Sequence, residues 1–354
     1  MTESLTTNIC PRCLRTSDPE ISDRVDELSR LPYLSITSPV GNTPHLTSAD
    51  ADLHMPLDHN FKYYSLHDFH SNQDISDLTS TNNNFSVLHH NIRSLSFNFD
   101  SFLDMLSNLN CPFSVIGLCE TKFKVNKENV TNIDITGYHD FVSQPSLLNM
   151  GGVGFYVKES LLFDTRPELS TKTLDYEALW IEISMTNQSN ILCGVTYRHP
   201  SGNLENFLDY MNKTIEQIHQ ENKLCLVMGD FNIDLLKIDS HPNSENFLDL
   251  MGSYFFQPQI LQPTRITEHS ATLIDNICIN SLEHFSISGN LVCDLTDHLP
   301  NFTIINKYCS VPSNIKIYKR DYSKFNEAAL ITEVQSINWE TVFASNDTDP
   351  SFHV

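Results

Sequence analysis

The chain has 354 residues, 44 of them acidic and 22 basic, for a formal net charge of −22 at pH 7. That excess excludes a domain gripping nucleic acid by wholesale phosphate neutralisation, but not an enzyme whose cation-dependent site gathers carboxylates. With 40% hydrophobic residues the chain can build one large core or two small ones, and no stretch approaches the roughly 18 apolar residues of a membrane span.

Residues 1–84 carry 12 acidic and 5 basic side chains, and runs such as Thr47–Asp52 and Asp77–Asn84 have neither a helix nor a strand period. They read as an acidic, largely disordered N-terminal arm. One patch, Phe61–Phe69, has the aromatic content of a short element that packs on the next domain. Cys10 and Cys13 form half a zinc site; His45 and His54 are the only near partners, so zinc is not expected. From Phe85 the texture changes. Strands are predicted at Phe85–His89, Phe113–Leu118, Gly152–Val157, Glu177–Ile183, Ile191–Thr196, Leu224–Met228, Ile274–Ile279 and Phe302–Ile305. Phe102, Met105, Leu106 and Leu109 recur at helical spacing, as do Leu204, Phe207, Leu208, Met211, Ile215 and Ile218. Strands outnumber helices without a regular βαβα alternation, which fits a two-sheet α/β sandwich better than a single doubly wound sheet. This domain is assigned to residues 85–307. Residues 308–354, with a helix near Phe325–Val334, read as a linker.

Polar clusters follow the strands, where an α/β sheet presents its ligands. They are His90-Asn91, Glu120, Tyr197-Arg198, Asp230 with Asn232, Asp275-Asn276 and Asp297-His298. In Gly229-Asp230-Phe231-Asn232 a carboxylate and an amide two residues apart share a face if the chain stays extended, though an Asx turn capping the strand gives the same pattern. Glu120, closing an apolar run, is either solvated or a ligand for a hard cation. Asp275 lies inside an apolar strand, where a carboxylate is costly unless paired, and orienting a histidine is one standard use. Carboxylates, amides, a phenol and an imidazole with no Ser or Cys nucleophile suit cation-assisted phosphodiester hydrolysis.

Asn91-Ile92-Arg93-Ser94-Leu95, Gly117–Lys122, Gly151–Tyr156, Tyr197-Arg198-His199-Pro200, Gly229–Asn232, Gln262-Pro263-Thr264-Arg265, Leu273–Ile277 and Thr296-Asp297-His298-Leu299-Pro300 resemble, in that order, the endonuclease/exonuclease/phosphatase family. More narrowly they are similar to the apurinic-type endonuclease domain of LINE-like (non-LTR) retrotransposons. The resemblance implies a DNase I-like fold, a four-layer α/β sandwich of two packed mixed β-sheets flanked by helices. It also implies a Mg²⁺-dependent DNA endonuclease, with Mn²⁺ as an alternative cation. One strand would be nicked, leaving a 3′-hydroxyl that primes reverse transcription. Glu120 would be the main metal ligand, with Asn91 and Asp297 contributing. Asp230 would transfer a proton, Asn232 would position the nucleophile, Tyr197 would donate to the phosphate, and Asp275 would orient His298. Arg93, Lys122, Arg198, Thr264 and Arg265 are the candidate DNA contacts. Arg93 stands where DNA-repair relatives place an acid, so no metal ligand is expected there, and Thr296 replaces the more usual Ser. A reverse transcriptase is expected in the full element but not in this chain. Two rivals are a same-fold phosphodiesterase acting on RNA, phosphoinositide or sphingomyelin, and a catalytically silent fragment. Pro200, Thr264 and Arg265, through their likeness to the retroelement subgroup, speak against the first. Intact candidate residues speak against the second. Nine scattered cysteines and a start without a secretory signal point to an intracellular protein, nuclear or cytoplasmic.

Overall fold

A computed structural model of the chain describes residues 24–25, 27–31, 34, 62–80, 84–123, 133–148, 150–186, 188–281 and 286–306, with four positions between 331 and 336. The chain divides into two compact units, residues 1–34 with 59–310, and residues 35–58 with 311–354. Most of the arm, Cys10, Cys13 and most of the helix expected near 325–334 lie outside the described residues.

In chain order the first unit contains β1 (Lys62–Tyr64), α1 (Leu66–Ser71), α2 (Gln73–Ser80), β2 (Asn84–Asn91), α3 (Leu95–Leu109), β3 (Val115–Cys119), β4 (Val142–Gln144) and β5 (Val153–Val157). There follow β6 (Leu162–Thr165), β7 (Thr171–Lys172), β8 (Tyr176–Ser184), β9 (Ile191–Arg198), α4 (Leu204–Glu221), β10 (Leu224–Asp230) and α5 (Pro242–Ser253). The last are β11 (Gln257–Pro258), β12 (Arg265–Thr267), β13 (Ser270–Thr272), β14 (Asp275–Ile279), β15 (Ser286–Leu291) and β16 (Asn301–Asn306). One mixed sheet has the order β1-β15-β16-β2-β3-β5-β4; the other runs β11-β14-β10-β9-β8-β6, with β7 pairing β8, and β12-β13 is a separate hairpin.

The period-two alternation of each strand explains how the sheets stack. Phe85, Val87, Val115 and Phe155 of the first sheet meet Ile181, Cys193, Val195, Leu226, Met228 and Ile277 of the second in one buried core. The alternate residues of the first sheet, Leu88, Ile116, Tyr156, Phe302 and Ile304, face α1 and α3 through Phe69, Phe102 and Met105. On the far side Trp180, Leu192, Cys225 and Val227 face α4 and α5 through Phe207, Met211, Ile215, Ile218, Phe247 and Met251. Helix, sheet, sheet, helix: the expected four-layer α/β sandwich is the fold. Among the described residues no helix is long and apolar enough to cross a membrane.

The elements before Phe85 are an integral part of this structure. Ser65 and Asp68 form a reciprocal capping box that starts α1. Leu66 and Phe69 then enter the same core as Phe102 and Phe302, while β1 pairs in parallel with β15. The packed sheet therefore recruits residues 62–80 from the expected arm.

β14 runs antiparallel to β10 and β16 antiparallel to β2. The starts of these two strands thus lie at the same edge as the ends of β2, β3, β9 and β10, which pair in parallel as β2 with β3 and β9 with β10.

Candidate active site

That shared edge collects most of the candidate residues. In the second sheet Asp230 lies between Tyr197 on β9 and Asp275 on β14, its partners in register. Gly229 permits the close approach of β9, since a Cβ there would stand 2.0 Å from the Thr196 carbonyl oxygen. After Asp230 the chain turns sharply. The Asn232 amide N–H donates to Asp230 Oδ1 at 3.0 Å and the Asn232 side chain donates to the Arg198 carbonyl at 2.7 Å. Asn232 is itself left-handed, with φ 49°. The Asx turn and the site are thus the same object.

From the first sheet, Asn91 Nδ2 donates to Glu120 Oε1 at 3.0 Å and to Asp230 Oδ2 at 2.8 Å. It thereby ties the carboxylates of the two sheets together. The Tyr197 hydroxyl donates to Glu120 Oε1 at 3.2 Å. Beyond β14, His298 Nδ1 lies 2.9 Å from Asp275 Oδ2 and 3.9 Å from Asp230 Oδ2. The Thr264 hydroxyl donates to Asp275 Oδ2 at 2.7 Å, fixing the carboxylate that fixes the imidazole. Asp230, Asp275 and His298 are all buried, with one ligand atom from each within 4.8 Å of the others.

Burial and mutual charge tune these groups. Burial and then the Asp275 carboxylate raise the Asp230 pKa to about 7, against the pull of His298 and Asn91. Burial opposes charge on His298, but Asp275, Asp230 and Asp297 outweigh it and raise its pKa to about 9. Asp275 moves down despite its burial, because His298 sits beside it. Burial, reinforced by Glu120 and Asp230, pushes Tyr197 up, so its phenol stays a donor. An acid near neutrality beside an imidazolium is a proton-transfer arrangement.

Backbone strain concentrates at the same edge. Arg93, Glu120, Lys122 and Asn232 have φ between 49° and 51°, a region costly for side chains with a Cβ and most often retained where a site requires it.

Not every predicted residue has its predicted surroundings. Arg198 is buried, and its guanidinium donates to the carbonyls of Phe231, His199, Gly202 and Asn232 at 2.7–3.1 Å. It clamps the two turns and is not a surface contact for DNA. Thr264 is wholly buried and turned to Asp275, so it too is no DNA contact. Arg93, Lys122 and Arg265 remain partly exposed at the rim, with side-chain exposures of 44%, 34% and 36%. Asp297 faces both Arg93 and Arg265 at 2.9 Å, and the Asn91 oxygen accepts the Arg93 amide N–H at 3.2 Å. The second oxygen of Glu120, the first of the three expected metal ligands, lies 3.8 Å from Lys122 Nζ.

Glu177 and His199, bonded to each other at 3.2 Å and both buried, lie outside the set of strand-end clusters that the sequence marks as candidates. A carboxylate opening the apolar strand Glu177–Ile183 was the available signal, the same one that marks Asp275.

No curated protein matches the chain in sequence. The sequence profile of the Endonuclease/Exonuclease/phosphatase family matches residues 88–298. Among solved structures, AP endonuclease LMAP from Leishmania major is similar with a TM-score of 0.51 and 14% identity, over 67% of this chain and 91% of that one. The endonuclease domain of TRAS1, a telomere-specific non-LTR retrotransposon, aligns at TM-score 0.46 and 13% identity over 62% of this chain and 98% of its own. The human Nocturnin catalytic domain aligns at TM-score 0.46 and 14% identity, over 63% and 93%. The profile spans the edge residues from Asn91 to His298 and more than half the chain, so this protein belongs to the endonuclease/exonuclease/phosphatase family.

Proposed function

We propose that the chain is a divalent-cation-dependent DNA endonuclease of the LINE-like retroelement type, hydrolysing one phosphodiester bond to nick a strand and leave a 3′-hydroxyl. The observation that carries this reading is Asp230. Its carboxylate, with a pKa of about 7, hangs between the Asn91 amide and the Asp275–His298 pair, one amide away from Glu120.

The donors around Glu120 fit a hard cation. They are a carboxylate, the Asn91 amide and the Tyr197 hydroxyl, with the Asp230 carboxylate on the other side of that amide. Glu120 would hold the ion, and Asn91 or Asp297 would join only by turning from Arg93 and Arg265. A bound Mg²⁺, or Mn²⁺ in its place, supplies charge neutralisation at the phosphate. The remaining chemistry lies in the chain's own residues. Asp230, once deprotonated, accepts the proton of the attacking water as the water oxygen bonds to phosphorus, while on the opposite side the bond to the 3′-oxygen breaks and that oxygen takes a proton from solvent. His298, held through Nδ1 by Asp275, offers its other nitrogen to a non-bridging oxygen, and the Tyr197 hydroxyl offers a second donor. Arg93, Lys122 and Arg265 would meet the flanking phosphates. In a retroelement the 3′-hydroxyl would serve as primer for a reverse transcriptase.

Incubation with supercoiled plasmid is the direct experiment. Relaxed circles are expected with Mg²⁺ and none with EDTA, and Asp230→Asn should slow nicking by about 10²–10⁴-fold without unfolding the chain. No Mg²⁺-dependent nicking at any ionic strength, or faster turnover of RNA or lipid phosphodiesters, would remove DNA as the substrate.

A further inference from the structure

Behind the site, Glu177 and His199 form a second buried acid–imidazole pair that the proposed chemistry does not use. Glu177 is fully buried on β8, opposite Tyr197 on β9. One of its oxygens accepts His199 Nε2–H at 3.2 Å, and the other accepts the Gly152 amide N–H at 2.7 Å. Gly151 and Gly152 both have positive φ, 98° and 87°. A Cβ on Gly151 would stand 2.8 Å from Glu177 Oε2 and 2.9 Å from His199 Cε1, so the turn is shaped to lie against this pair. The turn in turn holds the segment after β3. Thr121 N–H donates to the Gly152 carbonyl at 3.0 Å and Lys122 N–H to the Gly151 carbonyl at 2.8 Å. That segment contains the two strained left-handed residues, Glu120 and Lys122. The ring of His199 also packs edge-on against Tyr197, with centroids 4.9 Å apart.

A carboxylate with no access to water is retained in a core only where its partners repay its desolvation, and removing one partner is costly. Here the partners are a backbone amide from the first sheet and a histidine from the second. We infer that Glu177, steadied by His199, is a positioning residue that locks the Gly151–Gly152 turn against Thr121–Lys122 and so holds Glu120 in the left-handed conformation that presents it to a divalent cation. The inference rests on the reading of Glu120 as the metal ligand, but its mechanical part does not require catalysis.

The experiment compares the full chain with Glu177→Ala, Glu177→Gln and His199→Ala. Amide hydrogen exchange is followed residue by residue, and Mn²⁺ binding by electron paramagnetic resonance. In Glu177→Ala, exchange at Thr121, Lys122 and Gly152 is expected to accelerate while the β10 and β14 amides keep their protection. Mn²⁺ affinity should fall by roughly 10–100-fold, the range for outer partners of a metal ligand. Glu177→Gln keeps an acceptor for Gly152 and should recover most of both; His199→Ala should give the Ala pattern at smaller amplitude. Unchanged exchange at those three amides and unchanged Mn²⁺ affinity in Glu177→Ala would overturn the inference. If Glu177→Ala fails to fold, the same null result in His199→Ala would overturn it. This ranking of Mn²⁺ affinities across the variants, together with a wild-type chain that cleaves no phosphodiester, would overturn the functional reading and leave the positioning role standing.

Discussion

Two titrations at the site set how the molecule responds to pH. In the proposed mechanism Asp230 is ionised to take a proton and His298 is protonated to stabilise the phosphate. Turnover should therefore rise through an apparent pKa near 7 and fall through one near 9, the pair titrating as a unit. A pH–rate profile on plasmid or on a small phosphodiester checks this, and a flat profile from pH 6 to 10 would contradict it. Stability follows the same groups. The folded-state pKa of His298 is raised above its usual 6.5, so its contribution is complete below that value and is lost as pH climbs toward 9. Asp230 is raised above 3.8, so the folded chain retains its proton between about pH 4 and 7, and stability declines across that window too. His298→Asn should flatten the alkaline part of a stability curve measured by urea unfolding. Arg198 acts differently. Because its guanidinium satisfies four backbone carbonyls, Arg198→Met should cost about 2–4 kcal/mol of stability in thermal unfolding. Direct DNA contact would instead have shown itself as weakened binding with the fold intact.

At the scale of elements, α1 and β1 belong to the load of the first core. Phe69 packs edge-on against Phe302 with centroids 4.9 Å apart, and Phe69→Ala should destabilise the whole domain by about 3–5 kcal/mol. Chemical denaturation measures this, and a loss under about 1 kcal/mol would mark α1 as dispensable. The strands legible in the sequence were those with dense alternating apolar residues, such as Ile191–Arg198 and Leu224–Asp230. β15 was not, because Ser-Ile-Ser-Gly-Asn-Leu has little strand character of its own and becomes a strand only between β1 and β16. The short edge strands β4, β6 and β11 escaped for the same reason. α5 was hidden by its Pro-Asn-Ser-Glu start, although Pro at the first turn is an ordinary helix opening. Within the site, the residues at strand ends could be read from sequence, but the direction of a side chain could not. Arg198 and Arg265 look alike as basic residues beside motifs, and only folding turns one inward to carbonyls and the other outward to Asp297.

Taken whole, the molecule carries 26 acidic and 13 basic side chains between residues 85 and 307, while Arg93, Lys122 and Arg265 line one rim. With about three phosphate contacts, the slope of log affinity against log salt should be about −3. Anisotropy titrations of Asp230→Asn with labelled duplex at graded KCl test this, and a slope twice as steep would require a cationic surface other than the rim. The same architecture has a consequence in time. β1 pairs with β15, more than two hundred residues later, and β2 needs β16 as its neighbour. The second sheet, by contrast, is complete by Ile279. At a synthesis rate of roughly 5–20 residues per second, β1 and its helices must leave the ribosome and wait on the order of ten to forty seconds for a partner. Through that interval β1 and β2 stand without β15 and β16, so the nascent chain passes through a stage of open strand edges that a chaperone would have to shield.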